Sequence, residues 1–345
     1  MPTGRAGVQM PGALRRARSA VLTGSDMAGR NADTDETRFG RRASNVAEAV
    51  ATLRRGELVL LPTETVYGLA ADAARPEAVA RIFEAKARPR FNPLIAHVAD
   101  ATAAERVAVF DARARRLAEA FWPGPLTLVL PARPDGACDL ARAGLETVAV
   151  RVPGHGLARE LLASFGGAVV APSANRSGRP SPTTFEDAMA ETGSAVGAAL
   201  DGGPCAVGVE SAVVSVLDGC VALLRPGAVT RAELAAIVGP LAEVGEAHRS
   251  PGRLARHYAP DAPIRLNATG ARDGELFLGF GPGVGDAGWS LSPTGDLREA
   301  AANLFRLLRR ADAVAPSGIA VAPVPESGLG EAINDRLARA AGKIG

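Results

Sequence analysis

Short apolar runs that break off into polar clusters constrain this chain more than any other feature. Leu58–Leu61 leads directly into Pro62, Thr63, Glu64 and Thr65, and residues 168–171 lead into Pro172, Ser173, Ala174, Asn175 and Arg176. Arg151 sits at the end of the run 147–152, and Arg225 follows the run 221–224. Runs of this length, bounded by turn residues, read as strands, and their unbroken apolar character suits a sheet covered on its faces. Residues 94–98 and 126–130 read the same way. Segments of helical period lie between them. Pro76 opens one with Val79, Ile82 and Phe83 on a single face, and Asp111 caps another carrying Ala114, Leu117, Ala118 and Phe121. Segments 211–216 and 221–224 predict a hairpin around Asp218-Gly219, and Thr230 with Glu233 predicts a capping box ahead of one more helix. Strand and helix patterns in alternation predict an α/β domain over residues 43–238. Aromatic residues are only 4% of the chain, so the core has to be built from Ala, Val and Leu, as Ala-rich helices on a sheet would do.

The flanking segments read differently. In residues 1–42 arginine dominates the charge, glycine and hydroxyl residues are frequent and the apolar period is weak, which predicts a disordered tail. No apolar segment follows the early arginines, which speaks against a secretory signal. Residues 239–262 lack a period and contain Ser250-Pro251-Gly252 and a basic, aromatic stretch with Arg253, Arg256, His257 and Tyr258; they read as a linker. A smaller α/β unit is predicted over residues 263–345. Its expected strands are 264–266, Glu275–Leu278, 289–291 and 319–322. One expected helix carries Leu297, Ala300, Ala301, Leu304, Leu307 and Leu308, and another carries Leu329, Ile333 and Leu337.

A formal net charge of +2 excludes a strongly basic molecule that holds nucleic acid by charge alone, so any anion site has to be local. Cys138, Cys205 and Cys220 form no CxxC pair and leave one thiol over, which points to a reducing compartment, the cytoplasm. His97, His155, His248 and His257 show no metal-ligand spacing. No apolar run nears the roughly 20 residues of a membrane helix. The usual nucleotide motifs are missing too: the only Gly-Lys pair is Gly342-Lys343, and Gly279, Gly281, Gly283 and Gly285 have the wrong spacing for a dinucleotide loop. The chain offers cations and hydroxyls at strand ends instead. Lys86, Arg88 and Arg90 gather where Pro89 stops a helix, and Ser173, Asn175, Arg176, Ser177, Arg179 and Ser181 share one loop. A charge such as Arg151 or Arg225 at the end of an apolar strand is costly unless it is paired or faces a ligand. Open α/β sheets bind ligands in a crevice at their strand ends, and this one suits phosphate and a carboxylate. Residue chemistry alone does not choose the reaction.

The segments PTETVYGLAADA (62–73), KARPRFNPLIAH (86–97), WPGPLTLVL (122–130), VAVRVP (148–153), APSANRSGRPSPT (171–183), GVESAVVS (208–215) and LLRPGA (223–228), in this order, resemble the threonylcarbamoyl-AMP synthase family. SPGRLARHYAP (250–260) and the C-terminal unit resemble its longer, two-domain form. The resemblance implies a YrdC-like catalytic domain, a twisted open α/β sheet with a concave basic cavity, followed by a smaller Rossmann-like α/β domain. It implies condensation of L-threonine, bicarbonate and ATP into threonylcarbamoyl-AMP and pyrophosphate, with Mg²⁺ accompanying ATP. A downstream tRNA threonylcarbamoyl transferase would then modify tRNAs reading ANN codons. Carried over residue by residue, Thr65, His97, Arg151, the backbone of Ala171, and Ser211 surround threonine. Arg88, Asn92, Thr147, Ser173, Ser181, Arg225 and Tyr258 bind ATP, and Lys86 and Arg88 are the catalytic cations. Tyr258 would make residues 239–262 a lid. Ala87 and Ala212 depart from the family pattern, in which glycine and threonine are usual. Two other readings stay open. One is a carbamoyltransferase-type relative, against which the missing CxxC pairs speak. The other is a non-catalytic RNA-binding module, which predicts strong, salt-dependent RNA affinity on the same basic face without ATP turnover and against which the near-neutral charge speaks; weak RNA binding stays open for the synthase itself.

Overall fold

The structure, a computed structural model, describes residues 43–89, 92–243 and 257–343. The expected tail and most of the expected linker, including Arg253 and Arg256, lie outside the described residues. In chain order the first half supplies α1 (Val46–Arg54), β1 (Leu58–Leu61), β2 (Gly68–Asp72), α2 (Pro76–Lys86), β3 (Ile95–His97), α3 (Ala101–Val107), α4 (Ala112–Phe121), β4 (Leu126–Pro131), α5 (Asp139–Arg142) and β5 (Thr147–Arg151). It continues with α6 (Gly156–Phe165), β6 (Val169–Val170), α7 (Phe185–Thr192), β7 (Val196–Ala199), β8 (Ala212–Leu217), β9 (Cys220–Arg225) and α8 (Arg231–Val238). Among the described residues these strands form one mixed sheet in the order β7-β1-β2-β6-β3-β5-β4-β8-β9.

Alternation along β1 shows how the sheet is covered. Leu58 and Leu60 enter the larger core, with Val79, Ile82 and Phe83 of α2, Leu117 of α4 and Ala188 of α7. Val59 and Leu61 point the other way, into a core with Ala49 and Leu53 of α1 and Leu161 and Leu162 of α6. Beyond β6 this second face carries a thin layer of mostly small side chains, Val129, Ala149, Val213, Ala222 and Leu224, with Ile95 packed against them. His97 and Arg151 are register partners of the parallel β3–β5 pair and share that face with Ile95 and Ala149. The thinly covered half of the sheet is where the site lies.

Local signals set the element ends. Asn45 with Glu48 and Thr230 with Glu233 make capping boxes for α1 and α8, and Asp111 accepts the Arg113 and Ala114 N–H groups at the start of α4. Such caps contribute about 1 kcal/mol each. Asp218 and Gly219 take φ of 51° and 73°, as the two-residue turn between β8 and β9 requires.

The C-terminal unit holds β10 (Ile264–Arg265), β11 (Glu275–Leu278), α9 (Leu297–Ala313), β12 (Gly318–Val321) and α10 (Leu329–Ala340). β12 is central, with β10 and β11 parallel to it on either side. Residues 289–291 do not form the expected strand. Ala287–Trp289 is a 3-10 turn in which the Asp286 side chain accepts the Gly288 N–H, and Ser290 makes a single bridge to Gly279. The aspartate bonds the backbone locally just where a ladder would have to start. The core of this unit, with Leu304, Phe305, Ile319, Ile333 and Leu337, also takes in Val66, Val209 and Tyr258.

Gly208 shows how closely the halves meet. At φ 75° its missing Cβ would stand 2.4 Å from the Cα of Ala302 in α9. Positive φ and close approach both call for glycine. Gly208→Ala is expected to cost about 1–3 kcal/mol, measured as a lower urea midpoint at unchanged slope.

Candidate active site

A cavity lies over the thinly covered face, lined by Thr65, Arg88, His97, Arg151, Ala171, Ser173, Glu210, Ser211, Arg225, His257 and Tyr258 together with Val66, Pro93, Leu94, Ile95 and Pro172. The turn after β1 presents Thr65. The Thr63 hydroxyl donates to the Val66 carbonyl at 2.6 Å and lies 2.8 Å from Thr65 Oγ1. Arg151, at the end of β5, donates from Nε to the Gly124 carbonyl at 3.1 Å, from Nη1 to Thr65 Oγ1 at 3.0 Å and from Nη2 to Glu64 Oε1 at 2.7 Å. A guanidinium has five N–H groups, so two remain for a ligand. Burial opposes the Glu64 charge, but the adjacent Arg151 holds its carboxyl below the ordinary value.

His97 is buried, and its Nδ1 lies 3.1 Å from the Ile95 carbonyl, so Nδ1 carries the proton and donates. Burial, with Arg151 nearby, pushes its pKa down to about 3. Arg225, closing β9, donates from Nε and Nη2 to the Ser211 carbonyl at 3.2 and 2.9 Å. The Ser211 hydroxyl in turn lies 2.8 Å from Thr127 Oγ1. Burial lowers the Arg225 pKa and takes that of Arg88 down to about 10. Arg88 Nε and His257 Nδ1 are buried and have no hydrogen-bond partner among the described residues. Unsatisfied nitrogens in a cavity wall mark positions that a ligand can complete.

The remaining expected site residues stand behind or beyond the lining. Lys86 is buried, and its ammonium donates to the carbonyls of Ser173 and Asn175 rather than into the cavity. Burial, then Arg88, pushes its pKa well below the ordinary lysine value. Ser181 is buried and donates to Glu210 Oε1 at 2.5 Å. Asn92 is buried next to Pro93 of the wall. Thr147 opens β5 on the same face as Arg151 but four residues away, about 13 Å along the strand.

Comparison with known proteins gives two successive family matches that meet near residue 228. The family described as "Telomere recombination" matches residues 51–227, and the one described as "Threonylcarbamoyl-AMP synthase, C-terminal domain" matches residues 229–342. Threonylcarbamoyl-AMP synthase of Bacillus subtilis is 40% identical over 321 residues, covering 86% of this chain and 93% of the relative. The chain belongs to the threonylcarbamoyl-AMP synthase family. The synthase of Pyrococcus abyssi is 39% identical over 318 residues, covering 85% and 93%. The crystal structure of P. abyssi Sua5 complexed with L-threonine matches with a TM-score of 0.79 at 37% identity, over 86% of this chain and 94% of that one.

Within this synthase-family fold, two titratable lining residues escaped assignment from sequence. Glu210 is buried beside Ser211; burial works to raise its pKa, but Arg336, Arg225 and the Ser181 hydroxyl hold it below the ordinary value. An acid next to the apolar segment 211–216 was the available signal, because a buried charge needs a partner. His257 packs edge-on against Tyr258 at 4.0 Å between ring centroids, and burial pushes its pKa down to about 3.

The depressed histidines set a pH response. A folded pKa of about 3 against an ordinary 6.5 means that His97 binds fewer protons folded than unfolded. Stability is therefore full above pH 6.5 and is lost as pH falls towards 3. In His97→Gln, which cannot charge, urea denaturation across that window should show a shallower loss than in the parent.

Proposed function

We propose that the chain condenses L-threonine, bicarbonate and ATP into threonylcarbamoyl-AMP and pyrophosphate. The observation that carries this reading is the convergence of Arg88, Arg151 and Arg225 on one cavity in a chain of this family. Threonine takes the end with Thr65, His97, Arg151, Ala171 and Ser211, and the two remaining N–H groups of Arg151 grip its carboxylate. Arg88, Ser173, Arg225 and Tyr258 form the nucleotide end. Asn92 borders that end, and Thr147 extends it along the same sheet face. Lys86 and Ser181 act from behind by holding the loop 173–183 and Glu210. In this reading the arginines give the cavity its basic character.

The threonine amine adds to the carbon of bicarbonate, or of the CO₂ formed from it, and the carbamate forms with loss of water. A carbamate oxygen then attacks the α-phosphorus. The new O–P bond forms as the bond to the β-phosphate oxygen breaks, and pyrophosphate leaves. The protein contributes position and charge: three guanidiniums face the carboxylates and phosphates whose charge builds up. Mg²⁺ arrives as part of the ATP substrate. In that form the triphosphate and water hold the metal.

The cavity encloses about 60 Å³ with His257 and Tyr258 seated in its wall, against roughly 300–1,000 Å³ for ligand pockets. The pair withdraws to admit ATP and reseats to keep water from the carbamate and the mixed anhydride. The small C-terminal unit, three parallel strands with α9 and α10, is the Rossmann-like partner domain in this reading. The product passes to a tRNA threonylcarbamoyl transferase acting on tRNAs that read ANN codons. Free thiols at Cys138, Cys205 and Cys220 support a reducing compartment, the cytoplasm. Among the described residues no helix is long and apolar enough to cross a membrane.

Mass spectrometry of a reaction with threonine, bicarbonate and Mg-ATP should show a threonine-bearing adenylate, and pyrophosphate release should need threonine and bicarbonate together. ATP cleavage that runs equally well without threonine would refute the reading. Arg151→Lys keeps the charge beside Glu64 but loses the fork. It is expected to lower kcat/KM for threonine about 10- to 150-fold with ATP affinity retained. Steady-state kinetics with each substrate varied in turn checks this.

A further inference from the structure

The loop 173–183 is held from outside its own half of the molecule. The Ala259 N–H donates to the Gly178 carbonyl at 2.7 Å. Arg179 pairs with Asp261 at 2.7 Å and with Asp312 of α9 at 3.0 Å. Arg309 of α9 donates to the Pro180 carbonyl and pairs with Glu191 at 3.0 Å. Ser181 reaches Glu210, and Glu210 pairs with Arg336 of α10 at 2.9 Å. Consecutive residues from Gly178 to Ser181 are thus tied to the C-terminal unit or to the chain entering it.

Arg336 anchors the last of these contacts. Its side chain is fully buried. Nε donates to Glu210 Oε2 at 2.9 Å, and Nη1 donates to the Pro226 carbonyl at 2.8 Å and to Asp335 Oδ2 at 2.9 Å. Its guanidinium carbon stands 5.5 Å from the centroid of the Tyr258 ring, and Phe305 of α9 packs on that ring at 5.3 Å. Tyr258 has a φ of 63°, a conformation that a bulky residue adopts only when its surroundings impose it. Its ring is packed by His257, Phe305 and Arg336, and the backbone on either side is bonded to Arg339 and Gly178.

We propose that Arg336 is a positioning residue for the nucleotide half of the site, acting through Glu210 on Ser181 and through the aromatic face on Tyr258. This rests on the synthase reading above. None of Thr65, His97, Arg151, Ala171 and Ser211 bonds to Arg336; the nearest approach to the threonine end is Ser211, which follows Glu210 in the chain. The C-terminal unit then sets nucleotide binding without touching the nucleotide through Arg336.

The test uses the full chain. Arg336→Lys keeps a cation for Glu210 but cannot reach Glu210, Pro226 and Asp335 together. Its Michaelis constant for ATP should rise about 10- to 100-fold while that for threonine stays at the parent value. Arg336→Met combined with Glu210→Gln removes both buried charges, so neither is left unpaired, and should fold with the same selective ATP defect. Arg231→Gln breaks only the exposed pair with Glu331, at 2.8 Å between α8 and α10, and should leave both constants unchanged. An unchanged ATP constant in folded Arg336 variants, an equal rise for both substrates, or loss of fold in both Arg336 variants would overturn the proposal. Failure of the synthase reading would appear separately, as a parent enzyme that forms no threonine-bearing adenylate.

Discussion

A buried cation needs a counter-charge, a set of dipoles or a ligand, and this site is built from more cations than carboxylates. Glu64 serves Arg151, and Glu210 with Asp335 serves Arg336. Lys86 rests on the carbonyls of Ser173 and Asn175, and Arg225 on that of Ser211. Arg88 keeps a buried Nε without a partner. Burial depresses the pKa values of Lys86, Arg88 and Arg225 in the same region. The downward shifts mean that the folded site disfavours its own positive charge, and a bound polyanion reverses that. Substrate binding and folding are therefore linked here: whatever brings negative charge to the cavity also stabilises the wall that holds it.

The location of the site follows from the sheet. On the β7-β1-β2-β6 side the second face meets α1 and α6. Past β6 the apolar cluster on that face, among the described residues, consists of strand side chains alone, most of them small, with no helix residue in it. A strand on that half can point a polar side chain outward at every second residue without burying it under a helix. His97 and Arg151 are such residues, and their shared register fixes the distance between them. Helix coverage on one half and its lack on the other turns an ordinary mixed sheet into a binding surface.

Val- and Leu-rich strands were legible because their side chains favour a pleated, half-buried surface whatever their partners. β2, with sequence GLAAD, and β7, with sequence VGAA, were not: Gly and Ala carry little strand preference, and pairing with β1 on both sides makes them strands. At the site, Arg151 and Arg225 stood out as cations closing apolar runs. Lys86 stood out equally, yet its ammonium is spent on two carbonyls of a loop that α2 could not announce. At position 87, where the family pattern has glycine, the chain still makes the left-handed turn with alanine, at φ 48°. Glu210 was visible as a misplaced charge, but its partner lies 126 residues further on. Contacts between distant segments are fixed by packing, and local pattern does not carry them.

Among the described residues, the C-terminal unit supplies none to the cavity lining but buttresses it from behind. Val66 follows Thr65 and Val209 precedes Glu210 in the cavity wall, and both are buried in the core formed with α9 and α10. Gly208 lies against the backbone of α9 with no room for a Cβ. A displacement of α9 would therefore drag both loops, because close-packed apolar contacts transmit strain rather than absorb it. The polar ties add direction to that coupling. They run from α9 and α10 to Arg179, Pro180 and Glu210, and reach Ser181 only through Glu210. Apolar packing seats the two substrate loops together, and the buried ion pairs decide how precisely the nucleotide loop is held within that seat.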